Sequence, residues 1–178
     1  VEGITRDICC KNCIIWTDLA QSMEVGYETI GEIMEDICFE NITVLHNYHR
    51  AIFSIHNGNN ANIKRVSFSN ITVEDASMGG GDGENVIIDF ANIFSSNWSE
   101  AHKVTSLGTI DDVKVNNVIV VGGKLNPKVK IKGTIDTRPQ YSKEPHIVSN
   151  VVISDFLLYD DVLTKDYSNL ETKRNSEK

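Results

Sequence analysis

The stretch Ile33-Met-Glu-Asp-Ile-Cys-Phe-Glu-Asn-Ile-Thr-Val44 decides the fold, because copies of it recur along the chain. Residues 4–15 match it, and it returns at 63–73, at 110–120 and, more loosely, at 147–158. Each copy has an Asn or Asp at one fixed place: Asn12, Asn41, Asn70, Asn117 and Asp155, at steps of 29, 29, 47 and 38 residues. Self-similarity at such a period marks a stacked-repeat architecture, in which each unit buries its apolar face against the next.

Around Asn41 the apolar residues alternate with polar ones, Ile37 and Phe39 on one side and Ile42 and Val44 on the other. Period-two alternation with β-branched residues is the signature of strands. The Asn breaks the alternation, which reads as a tight bend, since Asn tolerates the left-handed backbone region. Stacked copy on copy, these residues are expected to form a ladder of buried amides bonded to the copies above and below. A leucine-rich repeat would need a Leu-dominated consensus, which is missing, and propeller blades would need antiparallel hairpin turns, of which Asn-Gly-type two-residue signals are scarce. Three short strands fit a coil of 29 residues, and the longer steps become loop insertions. The expected fold is all-β, a right-handed, single-stranded parallel β-helix of about five coils with an Asn ladder.

Second strands are expected at 21–26, 53–58, 86–90 and 129–133. Residues 1–160 read as the coils, and 161–178, polar and without period, as a cap that frays into a partly disordered tail. The repeat is already running at Ile4, which suggests that further coils precede it and that the uncapped first coil offers an edge for self-association.

The formal net charge of the 178 residues is -8, which argues against nucleic acid as the partner. No apolar run reaches membrane-spanning length, so no membrane partner is expected. Cys9, Cys10, Cys13 and Cys38 fit no zinc or redox spacing and read as apolar filler in strands. No metal or other cofactor is expected: His46 and His49 are near neighbours but lack a third ligand nearby. Asn97-Trp-Ser99 is the one plausible glycosylation acceptor, and the Gly79–Gly83 run reads as a loop that borders a cleft.

A packed interior confines function to the outer faces and loops. Trp16, Asp18 and Glu24 in the first coil, and His46, His49, Arg50 and His56 in the second, are expected to gather in one exposed column. Counting from the bends sets Asp18 on Asn47, and counting back from Gly26 and Gly58 sets Glu24 on His56. An aromatic ring among polar groups suits sugar recognition, and two acids on one face suit inverting hydrolysis. Asp18 and Glu24 are the candidate acids, with Asp75 as a further partner; each alone also reads as a solvated surface carboxylate.

These segments, Asn12-Cys-Ile-Ile-Trp-Thr-Asp18 through Glu28, Phe39–Val44 through Gly58, Val86-Ile-Ile-Asp89 and Ile110–Asn117, resemble the polygalacturonase family of glycoside hydrolases. Dextranase and isopullulanase β-helices are more distant likenesses. The resemblance implies a pectin-lyase-like solenoid, secreted or periplasmic, that cleaves an oligo- or polysaccharide with a carboxylate pair. Ala20-Gln21-Ser22 stands where that family has Gly-His-Gly, which sets Gln21 among the substrate-binding candidates with Trp16, His46, His49, Arg50 and His56. Ser54-Ile-His56 stands at its Arg-Ile-Lys, removing two cations that would bind galacturonate. The family's aspartate motifs would lie before Val1, so the chain is expected to contribute substrate-binding coils and to be incomplete as an enzyme. The alternative is a non-catalytic carbohydrate-binding or structural module, as in adhesins and tail fibres.

Overall fold

The computed structural model describes residues 3–27, 30–81, 83–93, 106–124, 126–135 and 145–159, with the backbone of 161–167. The five repeat copies become five strands: β1 (Ile4–Thr17), β3 (Ile33–Asn47), β5 (Asn62–Val73), β7 (Thr109–Val120) and β9 (Val148–Leu158). They pair in that order as parallel neighbours, and β10 (Asp161–Tyr167) closes the sheet antiparallel to β9. A second, four-stranded parallel sheet runs β2 (Met23–Tyr27), β4 (Phe53–Asn57), β6 (Val86–Asn92) and β8 (Lys128–Lys132). Among the described residues there is no helix. The described residues are thus all-β, and from β1 to β9 successive strands alternate between the two parallel arrays.

Register follows the repeat. Ile37, Val66, Val113 and Val151 are lateral neighbours, as are Ile42, Ile71, Val118 and Phe156, and all are buried. Phe68 of the large sheet packs against Phe53 and Phe90 of the small one, with ring centroids 5.6 and 5.9 Å apart. The core therefore lies between the two sheets, and removing such a ring would cost about 3–5 kcal/mol. At the open edge, the equivalents of these residues on β1 are less covered, and Ile4, Ile8 and Ile14 are exposed.

Each long strand bends twice. Asn12, Asn41, Asn70, Asn117 and Asp155 have φ of 49 to 58°, and so do Asp7, Asp36, Arg65, Asp112 and Asn150, five residues earlier in each copy. The backbone pairing register skips both places. The Asn ladder exists as pairs: Asn41 Nδ2 donates to Asn12 Oδ1 at 2.6 Å, and Asn117 Nδ2 to Asn70 Oδ1 at 2.7 Å. These amides are exposed, which corrects the expectation that they are buried. A left-handed bend turns the Asn side chain away from the core, so its partner lies along the outer surface.

Buried amides occur instead at the corners between the sheets. Asn47 Nδ2 donates to the Arg50 carbonyl at 2.5 Å, and Asn57 Nδ2 to that of Ala61 at 2.6 Å. Asn92 Nδ2 donates to the Ile147 carbonyl at 2.8 Å. Each side-chain amide thereby finds an acceptor that burial would otherwise deny it. The cysteines divide: Cys10 and Cys13 pack against the core, but Cys9 and Cys38 are register partners on the outer face and form a disulfide. For that pair the filler reading does not hold, because residues 9 and 38 fall on the outward phase of the alternation.

Candidate functional site

In the small sheet the inward positions are apolar, Met23 and Val25, Phe53 and Ile55, Ile88 and Phe90, Val129 and Ile131. The residues between them must point outward. Glu24, Ser54, Asp89 and Lys130 are those residues, and they form one lateral row across β2, β4, β6 and β8. The next outward row is Gly26, His56, Ala91 and Lys132. With small residues on both sides, the His56 ring has room to turn back onto the acids.

His56 Nδ1 lies 3.0 Å from Glu24 Oε1 and 3.1 Å from Ser54 Oγ, and Nε2 lies 3.2 Å from Asp89 Oδ2. The residue is 7% exposed. Burial alone would push the imidazole down, but hydrogen bonds to Asp89 and Glu24 outweigh it and raise the pKa from 6.5 to about 9. His56 is therefore an imidazolium at neutral pH, donating from both nitrogens. Burial likewise acts to raise the Asp89 carboxyl, and His56, with Lys130 behind it, reverses that and holds it below the ordinary range. Lys130 Nζ stands 3.5 Å from both Asp89 Oδ2 and Glu84 Oε2. Tyr27 meets the His56 ring edge-on, with centroids 5.6 Å apart.

Each acid gives one oxygen to His56 and leaves the other, Glu24 Oε2 and Asp89 Oδ1, buried without a hydrogen-bond partner. Both acids line a cleft of about 450 Å³, bordered also by Gln21, His49, Arg50 and Lys130. That is the size of an ordinary small-ligand site. Each orphaned oxygen is an acceptor whose missing hydrogen bond costs free energy in the structure as it stands. His49 itself is held by a hydrogen bond to the Leu19 carbonyl. The glycine-rich run packs beside it, with a Cβ at Gly83 meeting the His49 carbonyl oxygen at 2.0 Å.

The single column expected from counting is in fact two clusters. Trp16, Asp18 and His46 gather with Asp75 at the end of the large sheet. Glu24 and His56 belong to the cleft, where Gln21, His49 and Arg50 also stand. Asp18 and Glu24 are thus in different groups. Asn47 pairs with Thr17 rather than Asp18, because the register shifts between Ile15 and Trp16. Glu24 pairs with Ser54 and not His56, because Gly26 lies inside its strand and Gly58 lies beyond its own. Sequence reasoning left Asp89, Lys130, Ser54 and Tyr27 out of the site. His46 and His49 do not converge, and among the described residues no group of three or more His, Cys, Asp or Glu side chains could hold a metal ion. Asn97 lies outside the described residues.

Comparison with known proteins found no family model, no curated protein and no solved structure that matches the chain.

Proposed function

We propose that the chain is a right-handed parallel β-helix of the polygalacturonase-like kind, whose Glu24–His56–Asp89 cleft binds and hydrolyses an oligo- or polysaccharide. The observation that carries this reading is the pair of half-buried carboxylates that share one imidazolium and keep one orphaned oxygen each. Strand-to-parallel-strand crossovers are right-handed in ~98% of cases, which supports the handedness. Glu24 and Asp89 are bonded to opposite nitrogens of one ring, which keeps the two carboxyls apart as an inverting pair requires, at a separation of ~6.5–9.5 Å in such enzymes. In this reading Asp89, held ionised by His56 and Lys130, draws the proton from the attacking water; Glu24 takes the proton that His56 Nδ1 donates and delivers one to the leaving oxygen, and Asp89 then returns its proton to His56 Nε2.

A second reading, a module that binds sugar without cleaving it, is favoured by one observation: His56 donates to both acids, so the pair as it stands is a set of acceptors. Calorimetry and reducing-sugar release on one panel of oligosaccharides separate the two. Release that is abolished in Glu24→Gln and in Asp89→Asn supports hydrolysis. Binding without release, lost in His56→Ala, supports the module, and no binding by any sugar refutes both.

A further inference from the structure

The other cluster lies at the corner where the chain leaves the large sheet. The Trp16 indole rests on the His46 ring, centroids 4.7 Å apart at 34°, and its Nε1 donates to Asp18 Oδ1 at 3.2 Å. His46 is fixed in turn, with Nδ1 2.6 Å from Asp75 Oδ2 and Nε2 3.4 Å from Asp18 Oδ1. Ser77 Oγ donates to the other oxygen of Asp75. The indole is thus held by a ring stack and a hydrogen bond, yet it is 65% exposed. Such a ring contributes little to the core, and its side-chain entropy has already been given up, so a ligand that docks on it orders little more.

We infer that Trp16 and Asp18, positioned by His46 and Asp75, form a second pyranose subsite that takes a neutral sugar unit of the same chain that occupies the cleft. The inference rests on the carbohydrate reading of the cleft and deepens it. The open indole face fits the C–H face of a pyranose, and the Asp18 carboxylate at its edge accepts from a ring hydroxyl. Asp18 and Asp75 would repel a carboxylate-bearing sugar, which selects a neutral one. Continuity is built in: Asp18 leads directly into Leu19 and Gln21, which line the cleft, and His49 ties the Leu19 carbonyl to the next coil. Leu19 is itself 75% exposed, an apolar step between the two subsites.

The chain has two tryptophans, Trp16 and Trp98, so Trp98→Phe leaves Trp16 as the sole indole. That protein is titrated with maltohexaose, isomaltohexaose, cellohexaose and hexagalacturonate, with Trp16 emission and calorimetry read in parallel. The expected result is a saturable emission change with a neutral sugar, at the calorimetric midpoint. Trp16→Ala should then weaken that binding about tenfold while the thermal melt is unchanged; Asp18→Asn, which keeps the indole, should weaken it less. Calorimetric binding with silent emission, a response to hexagalacturonate alone, or unaltered affinity in Trp16→Ala overturns the subsite and leaves the cleft reading standing. No calorimetric binding by any of the four overturns both.

Discussion

His56→Gln keeps a hydrogen-bonding side chain but removes the one group that bonds both Glu24 and Asp89. Between pH 6.5 and about 9 the native imidazole is protonated and the unfolded one is not. The native state therefore binds the extra proton, and stability falls as pH rises through that window, by ~1.4 kcal/mol per pH unit. Over the window this is about 3 kcal/mol, fully present below pH 6.5 and lost above 9. The lowered Asp89 carboxyl records the same attraction from the other side and adds nothing further. Urea unfolding of both proteins at half-unit steps from pH 6 to 10 measures it, and groups unrelated to His56 cancel in the difference. The gap between wild type and variant should be widest at pH 6 and narrow by about 3 kcal/mol by pH 10. A gap that stays constant with pH would mean that His56 folds neutral, and the electrostatic account of the cleft would fail.

Three further outcomes are expected. Asp89→Asn should lower the His56 pKa from about 9, read from its ring proton shifts by NMR, since one of its two carboxylates is gone; an unmoved titration contradicts the pairing. Gly26→Ala should destabilise by about 2–4 kcal/mol in denaturant, because φ is +104° and the new Cβ would lie 2.2 Å from the His56 carbonyl oxygen. Asn41→Ala should lose about 1–2 kcal/mol, from its left-handed φ of 56° and its bond to Asn12, and Asn41→Gly clearly less; equal losses would restore a dominant role to the amide.

The stacking order was legible because the apolar alternation in each copy keeps phase with Asn41 and its equivalents. The earlier bend was not read, although Asp or Asn fills it in four copies and Arg65 in the third. Its left-handed backbone costs little for Asp and Asn, but an Arg there hid the column. In the site, Asp89 was overlooked because Val86-Ile-Ile-Asp-Phe90 looks apolar throughout. Aligning the second strands by their inward pairs, Met23 and Val25 with Phe53 and Ile55 and with Ile88 and Phe90, would have put Asp89 beside Ser54 and Glu24. Counting from glycines failed because a glycine marks a close backbone approach at 26 and lies past the strand end at 58. The shift at Trp16 had no sequence signal, since one extra residue in a bulge leaves local composition unchanged.

The two left-handed bends, always five residues apart, act as a length standard. Between one copy and the next the chain takes 29, 47 or 38 residues, yet the segment between the bends never varies. Strand geometry and loop length are therefore independent variables. A foreign segment could be spliced into the return path between copies without resetting any pairing. A single residue inserted between two bends would turn every inward side chain beyond it toward water. The molecule is in this sense a frame with interchangeable panels, tolerant where it meets its surroundings and inflexible along one short, repeated measure.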